Sequence, residues 1–482
     1  MEKNSIKLNA IVNGIRNVLN LLFPLITFPY VSRTLSVSGI GKYNFSSSII
    51  SYFLLLAALG IDKYSIREGA KYREDRKKMS QFVSKVFTFN LISTLVSYLF
   101  LFLLMSFSSK LKNYTLCILI FSLQIIFTTL GVEWVYTIYE QYFYITVRSI
   151  IFKLISIVLL FVFVRKTDDY LNYAAITVFS IVGSNVLNFI HLKKYCDVKI
   201  TFDFKEFKKM LKPIAVIFAS NIAILIYVNA DMTMLGYLKN DYAVGIYSVS
   251  TKIYTICKTL LASILTVTIP RLAMYTGKKM YKEYNELLYN LINVLLLIIV
   301  PAIVGLFFLS KDIVLIISGT GYLRSTCSLR ILCLAILLSI LNGAFIECVL
   351  IPYKREKFVL ISSIVSAIVN ILLNLLLIPY LSENGAAITT LIAEFICLSI
   401  NFYYSKDILE NSIFNVSTLK NLLSVIVGSI FVGITCAILN VNINNMILRI
   451  VLQISISAFI YSLSQLLIKN QFLKFVVNRN IN

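Results

Sequence analysis

Nine basic residues lie inside stretches of sequence that are otherwise apolar enough to form membrane-spanning helices. They are Arg16, Lys42, Lys85, Arg148, Lys153, Lys252, Lys258, Arg330 and Arg449. Leaving out the first two residues of each stretch, the acidic residues in them are only four: Glu133, Asp231, Glu347 and Glu394. A Lys or Arg at the centre of a bilayer costs about 2.5–3.5 kcal/mol on insertion scales, so such residues normally face a water-filled cavity or a partner. Because the acids are too few to pair with all the bases, the sequence predicts a hydrated, cationic interior that binds an anionic substrate.

The first apolar stretch carries a polar stripe around one of these bases. Asn9, Asn13, Arg16 and Asn20 follow one another at i, i+4, i+7 and i+11. At 100° per residue they occupy about 60° of the helix circumference, so they share one face. Amides and a guanidinium do not belong against lipid, and we expect this face to bind substrate. Hydrogen bonding to neighbouring helices is the structural alternative.

Five more bases are candidates for substrate binding. Arg148 and Lys153 differ by about 140° around their helix, so only one of them is expected to point directly at the substrate path. For Arg148 the alternative is snorkelling toward the cytoplasmic surface. Lys252 and Lys258 belong to a broad polar face of the eighth stretch. Lys42 lies near the outer end of its stretch, where a role as an interfacial anchor competes with substrate binding.

Two acids are candidates for coupling transport to an ion. Asp231 either neutralises a lysine of the eighth stretch or binds a coupling cation. Glu133 closes the fourth stretch, and the adjacent Trp134, the sole tryptophan, is interpreted as an interfacial anchor. No cofactor and no metal site are expected, while coupling to H⁺ or Na⁺ stays open. Structural roles are expected for three bases near span ends or without a polar stripe: Lys85, Arg330 and Arg449.

Membrane-spanning helices must position these residues. Of the 482 residues, 58% are hydrophobic and 14% are charged, whereas a soluble domain has about 25% charged residues. Apolar runs of roughly 20 residues, each able to cross about 30 Å of hydrocarbon, recur along the whole chain. The sequence therefore predicts an all-α polytopic membrane protein with about 14 transmembrane helices. The predicted spans are 8–32, 40–61, 80–105, 114–138, 142–164, 171–192, 212–237, 242–269, 286–309, 327–351, 358–379, 384–405, 419–440 and 446–468.

The basic residues outside these spans are distributed unevenly. If the N-terminus is cytoplasmic, the segments on that side hold 28 Lys and Arg residues and the opposite loops hold eight. This asymmetry follows the positive-inside rule and predicts that both termini are cytoplasmic. It also accounts for the net charge of +22 without nucleic acid as a partner. Because no small-residue cleavage site follows a short apolar core at the N-terminus, no removable signal peptide is expected.

Two short motifs recur in the same order along the chain. Gly41-x-Tyr43 recurs as Gly245-x-Tyr247, and Asn172-Tyr-Ala-Ala-Ile-Thr177 recurs as Asn384-Gly-Ala-Ala-Ile-Thr389. The repetition predicts two pseudo-symmetric six-helix lobes and two additional C-terminal helices. The corresponding domains are 1–195, 196–410 and 411–482. Transporters built from such parallel repeats bind substrate between the lobes near the bilayer midplane.

Ile26-Thr-Phe-Pro-Tyr-Val-Ser-Arg33 is followed by Gly39-Ile-Gly-Lys-Tyr-Asn-Phe45. Together these segments resemble the first hairpin of bacterial polysaccharide repeat-unit flippases, the O-antigen and capsule exporters of the multidrug/oligosaccharidyl-lipid/polysaccharide superfamily. Later landmarks are Glu133-Trp134, Tyr144-Ile-Thr-Val-Arg-Ser149 and Asp168-Asp169-Tyr170. The resemblance extends over essentially the whole chain, and it is specific for the family rather than for the sugar that is carried.

This resemblance implies a transporter of the bacterial cytoplasmic membrane rather than an enzyme. The implied substrate is an undecaprenyl-diphosphate-linked oligosaccharide, with membrane lipid around it and polysaccharide polymerase or assembly proteins as further partners. The cationic cavity of the family matches Arg16 and the bases of the fifth and eighth spans. A drug/cation antiporter of the same superfamily is the alternative, although it should have a more acidic interior. A membrane-embedded polymerase or glycosyltransferase should have a sizeable aqueous domain, and the sequence has no loop long enough to form one.

Overall fold

The computed structural model describes Gly14, residues 23–410 and residues 415–472. Over these residues the regular structure is helical, without a β-strand. Thirteen helical segments are long and apolar enough to cross a membrane, and they match the second to fourteenth predicted spans. The first predicted span lies largely outside the described residues. The prediction of an all-α polytopic membrane protein is therefore confirmed.

The helices are numbered in chain order. The first ten are α1 (23–34), α2 (Val37–Ala58), α3 (Ile61–Gly69), α4 (Arg76–Phe107), α5 (Thr115–Gly131), α6 (Glu133–Ile138), α7 (Tyr142–Phe163), α8 (Tyr170–Val182), α9 (Asn185–His191) and α10 (Phe204–Leu238). The remaining eight are α11 (Asp241–Gly277), α12 (Tyr281–Ser318), α13 (Ser325–Phe345), α14 (Glu356–Leu381), α15 (Glu383–Tyr403), α16 (Lys406–Leu409), α17 (Val416–Asn442) and α18 (Met446–Leu467).

Several spans that the sequence predicts as single helices contain a break. Leu59 and Val132 adopt left-handed backbone conformations with φ of 48° and 38°, and they end α2 and α5 respectively. The tenth predicted span ends in a π-helical turn at Ile346–Leu350. Such breaks leave backbone groups that an apolar membrane interior cannot satisfy, so they occur where protein surrounds them. The hydropathy pattern of the sequence does not reveal these breaks, because the side chains before and after each break remain apolar.

Short polar side chains fix the starts of several helices. Asp75 accepts hydrogen bonds from the backbone N–H groups of Lys77 and Lys78, each at 3.0 Å, at the start of α4. Asn445 does the same for the N–H of Leu448 at 3.1 Å at the start of α18. These caps satisfy N–H groups that have no partner within their own helix.

The described helices form two compact units, the first ending at Gly245 and the second beginning at Ile246. In the first unit, α2 packs against α4, α5, α8 and α10, and α8 also packs against α5 and α7. In the second unit, α15 packs against α13 and α14, while α12 packs against α13, α17 and α18. The lobe boundaries that the repeat suggests stay a prediction.

The repeated motifs make the same contact in each unit. The Tyr43 hydroxyl donates to Thr177 Oγ1 at 3.1 Å and joins α2 to α8. The Tyr247 hydroxyl lies 3.2 Å from Thr390 Oγ1 and joins α11 to α15. Tyr43 and Tyr247 are equivalent residues of the repeat, and Thr390 follows the equivalent of Thr177 by one position. The sequence repeat therefore corresponds to a repeated pair of helices.

The glycines of the same motif allow α2 to approach the first turn of α11 closely. A Cβ atom on Gly41 would lie 1.8 Å from the carbonyl oxygen of Asp241. A Cβ atom on Gly245 would lie 2.1 Å from the carbonyl oxygen of Val37. Both distances are far inside van der Waals contact, so glycine is required at both positions. Small residues commonly allow such close crossings of membrane helices.

An extended segment between α9 and α10 is bound along one face of α4. The backbone N–H groups of residues 197, 199 and 201 donate to the hydroxyls of Ser80, Ser84 and Thr88, each at 3.0 Å. These hydroxyls repeat every four residues and so lie on one stripe of α4. Alternate N–H groups of an extended chain meet successive turns of a helix. This segment is thus fixed to the first unit.

Candidate substrate-binding site

The two bases of α7 lie in different surroundings. The Arg148 side chain is buried, with 7% of its surface exposed, and its guanidinium lies 5.8 Å from the centre of the Tyr144 ring. That ring also stacks on His191, with 4.6 Å between the ring centres. Lys153 is half-buried, and its ammonium lies 6.0 Å from the Phe23 ring of α1. The 140° separation therefore directs Arg148 toward Tyr144 and Lys153 toward Phe23 of α1.

Helix α1 is fixed along α7 by Tyr30. Its hydroxyl donates to the carbonyl oxygen of Val164 at 2.8 Å, and its ring makes an edge contact with Phe161 at 4.6 Å. Because Phe23 meets Lys153 and Tyr30 meets Phe161, the two helices run in the same direction. The residues of the first span that the sequence predicts to bind substrate, Asn13, Arg16 and Asn20, lie outside the described residues.

Lys42 lies close to the loop between α7 and α8. Its ammonium is 5.5 Å from the ring of Tyr170, the first residue of α8. The loop is held by Asp169, whose carboxylate accepts from the backbone N–H groups of Arg165 and Lys166 at 2.9 and 2.8 Å. These two bonds, with Lys166 contributing most, lower the pKa of Asp169. Asp169 of the loop landmark thus fixes the turn before α8, and the anchor and substrate-binding roles of Lys42 both stay predictions.

The two bases of α11 differ in their partners. Lys258 lies 3.4 Å from Glu394 Oε1 of α15 and 3.4 Å from the Tyr254 hydroxyl. Tyr254 also donates to Glu394 at 3.2 Å. Lys252 is half-buried and has no ion-pair partner in the described parts of the chain. The sequence identified Lys258 as a base and Glu394 as an acid, but it did not pair them.

Two other bases pair with carboxylates that lie outside the predicted spans. Lys85 lies 3.1 Å from Asp203. Arg449 forms a bidentate pair with Asp312, at 2.8 and 2.5 Å. The predicted span ended at residue 309, whereas α12 continues to Ser318 and buries Asp312. The surplus of bases over acids is therefore smaller than the sequence suggests, and the structural roles expected for Lys85 and Arg449 agree with these pairs.

The remaining base with an expected structural role is Arg330. Its guanidinium lies 5.2 Å from the Phe307 ring and 3.4 Å from the Phe307 carbonyl oxygen. Both groups belong to α12, the neighbour of α13. A guanidinium over an aromatic ring is stabilised by the negative face of the ring. Arg330 therefore contributes to packing between α12 and α13.

The acidic candidates Asp231 and Glu133 lie in the first unit. Asp231 is buried on α10, two residues before Thr233, which donates to Ser48 at 3.1 Å and lies 3.2 Å from the Tyr52 hydroxyl. These contacts join α10 to α2 close to the carboxylate. The coupling-ion role of Asp231 stays a prediction.

Glu133 is the first residue of α6 and follows the left-handed break at Val132. A positive φ is strained for a β-branched residue, and such strain clusters at functional sites. Glu133 also lies within electrostatic range of Asp62. The interpretation of Trp134 as an interfacial anchor is wrong: the indole is 3% exposed and packs edge-on against Phe82, with 6.2 Å between the rings.

The second unit contains an apolar cavity of about 580 Å³. Helices α11, α12, α17 and α18 supply its walls. Most of the lining is aliphatic, and Gln453, Ser457, Tyr461 and Ser462 provide the few polar side chains. Gly305 on α12 faces open space, since a Cβ atom there would meet nothing within 4 Å. This cavity is suited to a hydrocarbon chain rather than to a charged group.

Residues 6–276 match the family model for polysaccharide biosynthesis proteins. The chain belongs to this family. Residues 216–376 also match the MatE family model. The putative O-antigen transporter of Escherichia coli (strain K12) is 23% identical over 412 residues, which are 84% of this chain and 98% of that protein. The capsular polysaccharide biosynthesis protein CapF of Staphylococcus aureus is 23% identical over 409 residues, 82% of this chain and 98% of CapF.

Solved structures share the fold. The lipid II flippase MurJ in an inward closed conformation superimposes with a TM-score of 0.73 at 18% identity, covering 98% of this chain and all of that one. An inward-facing multidrug resistance MATE family transporter has a TM-score of 0.61 at 12% identity, covering 81% of this chain and 98% of that one. This chain therefore shares the fold of these membrane transporters.

Proposed function

We propose that this protein flips an undecaprenyl-diphosphate-linked oligosaccharide from the cytoplasmic to the outer leaflet of the bacterial cytoplasmic membrane, by alternating access. The observation that carries the proposal is the set of bases on membrane-spanning helices α7 and α11, in a chain of the polysaccharide biosynthesis family. Arg148 is buried, while Lys153, Lys252 and Lys258 are half-buried. Buried bases in transporters mark the path of anionic groups.

The chemistry of the head group fits these side chains. A guanidinium binds phosphate oxygens in a bidentate geometry, and an ammonium supplies a compact positive charge. In this proposal Arg16, Arg148, Lys153, Lys252 and Lys258 bind the diphosphate at successive stages. The amides Asn13 and Asn20 bind the sugar. Lys42 is assigned to substrate binding at the outer end of the path.

The polyprenyl tail is assigned to the apolar cavity of the second unit. A volume of about 580 Å³ holds only part of a long polyprenyl chain, so the rest stays in lipid. Burial of hydrocarbon there contributes affinity without using the bases, at about 25 cal/mol per Å² of apolar surface. The head group and the tail would thus be bound by different side chains, with α11 contributing to both.

Filling the cavity should reduce transport without unfolding the protein. Gly305→Leu places an aliphatic side chain in the open space next to α12, and surface polysaccharide is expected to fall several-fold. Leucine is also a better helix former than glycine by up to about 1 kcal/mol, so stability should be kept. Gly305→Ala makes the same backbone change with little added volume and is the matched control. Equal surface polysaccharide in the two variants, at equal expression, would show that the tail does not bind in this cavity.

The membrane potential favours the proposed direction. Moving each negative charge of the diphosphate from inside to outside an inside-negative cell is favourable by about 2.3 kcal/mol per 100 mV. Coupling to H⁺ or Na⁺, with Asp231 and Glu133 as candidates, adds to this bias rather than being required for it. The orientation with both termini cytoplasmic follows from the positive-inside asymmetry.

A deletion strain tests the proposal in the cell. We expect lipid-linked repeat units to accumulate on the inner leaflet, with loss of surface polysaccharide. Restoring the gene should reverse both effects. If the repeat units still reach the outer leaflet and are polymerised there, the protein is not their flippase. Polysaccharide polymerases are proposed as downstream partners because they would consume the flipped product.

The match of residues 216–376 to the MatE model favours one second candidate, a drug/cation antiporter. Such a protein needs carboxylates that exchange H⁺ or Na⁺ for an organic cation. In the second unit Glu394, Asp312 and Glu383 all pair with bases, which makes them poor sites for an organic cation. Export of cationic dyes by the purified protein would support this candidate against the flippase.

A further inference from the structure

Lys258, Glu394 and Tyr254 form a compact cluster from two helices of the second unit. Lys258 Nζ is 3.4 Å from Glu394 Oε1, and the Tyr254 hydroxyl donates to the same oxygen at 3.2 Å. The two charged partners differ in accessibility. The Glu394 side chain is 3% exposed, whereas 37% of the Lys258 side chain is exposed. An anion can therefore reach the ammonium, while the carboxylate stays enclosed.

Lys258 is the only countercharge that the described residues place beside Glu394. Besides α11, the helices packed against α15 are α13 and α14, and α13 supplies the uncharged Ser339 hydroxyl to Tyr254. The other charged groups on these helices lie about two turns or more along them. Besides Glu394, the titratable groups on these helices are Cys327, Arg330, Cys333, Glu347, Cys348, Glu356, Lys357, Tyr380, Glu383, Cys397 and Tyr403, and the nearest others on α11 are Lys252 and Cys257. Glu383 has its own partner, Arg324, at 2.8 Å.

A diphosphate bound to Lys258 would compete with Glu394 for the same ammonium. The carboxylate would then be left buried without its countercharge, which is unfavourable in a medium of low dielectric constant. A buried carboxylate that loses its cation takes up a proton instead of staying charged. The Tyr254 hydroxyl suits both states, because it donates to the carboxylate and accepts from the protonated carboxyl group.

We propose that Glu394 is a proton-binding site linked to substrate binding at Lys258. The proposal rests on the function proposed above. When Lys258 transfers from Glu394 to the diphosphate, one proton from water binds a carboxyl oxygen of Glu394. When the substrate leaves, Lys258 returns and the proton goes back to water. The bound complex then carries one negative charge fewer than the diphosphate alone.

Linkage gives the sign of the pH effect. Because binding takes up a proton, the affinity for a diphosphate substrate should fall as the pH rises, by at most about tenfold per pH unit. Replacing Glu394 by glutamine removes the proton site and should remove this dependence. The Glu394→Gln variant keeps Lys258 available to the substrate, so its affinity should equal or exceed that of the wild type at high pH.

Isothermal titration calorimetry in buffers of different ionisation enthalpy measures the linkage directly. The probe is a farnesyl-diphosphoryl N-acetylglucosamine, whose diester phosphates do not titrate near neutral pH. We expect about one proton taken up per probe bound by the wild type. No uptake is expected for Glu394→Gln, with binding retained. Glu383→Gln removes a similarly buried carboxylate of the same helix and should leave the proton uptake unchanged.

The outcomes separate this inference from the proposed function. If the wild type binds the probe without taking up a proton, or if Glu394→Gln takes up as much as the wild type, the linkage is wrong. If the wild type does not bind the probe at all, the proposed function fails as well. Difference infrared spectroscopy of the wild type provides a second measurement. A protonated carboxyl band should appear on binding the probe, and its absence would overturn the linkage.

Discussion

Replacing Arg148 by glutamate is expected to abolish surface display of polysaccharide. Arg148 is a buried guanidinium on a membrane-spanning helix, and a glutamate there repels a diphosphate instead of binding it. Loss of one buried, hydrogen-bonded charge contact costs about 2–5 kcal/mol, so transport should fall by at least roughly 30-fold. Arg16→Glu, argued from the sequence alone, is expected to have the same effect. The measurement is surface polysaccharide at equal levels of inserted protein.

Two control variants separate charge at this position from charge in general. Arg148→Lys keeps the positive charge but loses bidentate binding, so it should retain part of the activity. Arg165→Glu reverses an exposed arginine in the loop after α7 and should display polymer normally. If Arg148→Glu and Arg16→Glu both display polymer at wild-type levels, a cationic substrate path is wrong for this protein.

Replacing Asp312 by asparagine is expected to cause the largest loss of stability. Arg449 and Asp312 are 17% and 3% exposed and form a bidentate pair between α12 and α18. The substitution leaves a largely buried guanidinium without its countercharge, which costs about 3–5 kcal/mol. The thermal unfolding temperature of the purified protein in detergent should therefore decrease strongly.

A surface ion pair provides the matched control. Lys406 and Glu410 lie 3.4 Å apart and are 59% and 54% exposed. Glu410→Gln should change stability by at most about 1 kcal/mol, because solvent screens such pairs. The double variant Asp312→Asn with Arg449→Met should be more stable than Asp312→Asn alone, since it removes the unpaired charge. If Asp312→Asn melts at the wild-type temperature, the pair does not hold α18 on α12.

The membrane spans could be predicted from the sequence because a bilayer imposes a simple rule. Every backbone polar group must be satisfied inside the segment, so about 20 apolar residues form a helix. The ends were less predictable. The span that was expected to end at residue 309 continues past Ser310-Lys311-Asp312, because Arg449 of a distant helix neutralises Asp312. A window of hydropathy contains no information about that partner.

The candidate site was predictable in its residue types but not in its pairings. The pattern identified Lys258 and Glu394 as intramembrane charges, yet their contact depends on the rotation of α11 against α15. The spacing of Tyr254 and Lys258 at i and i+4 was the one local signal of a shared face. The interfacial position predicted for Trp134 was wrong, because an indole near a span end can be buried in the core as easily as it can face lipid headgroups.

Reconstituted transport tests the central claim most directly. The purified protein would be inserted into vesicles that contain a fluorescent polyprenyl-diphosphate-linked oligosaccharide, and a membrane-impermeant quencher would report the outer leaflet. We expect the protein to move the labelled lipid between leaflets, faster with a membrane potential of the proposed sign and not at all with Arg148→Glu. Vesicles in which the lipid stays in its original leaflet, while the same protein exports a cationic dye, would contradict the flippase and favour the antiporter.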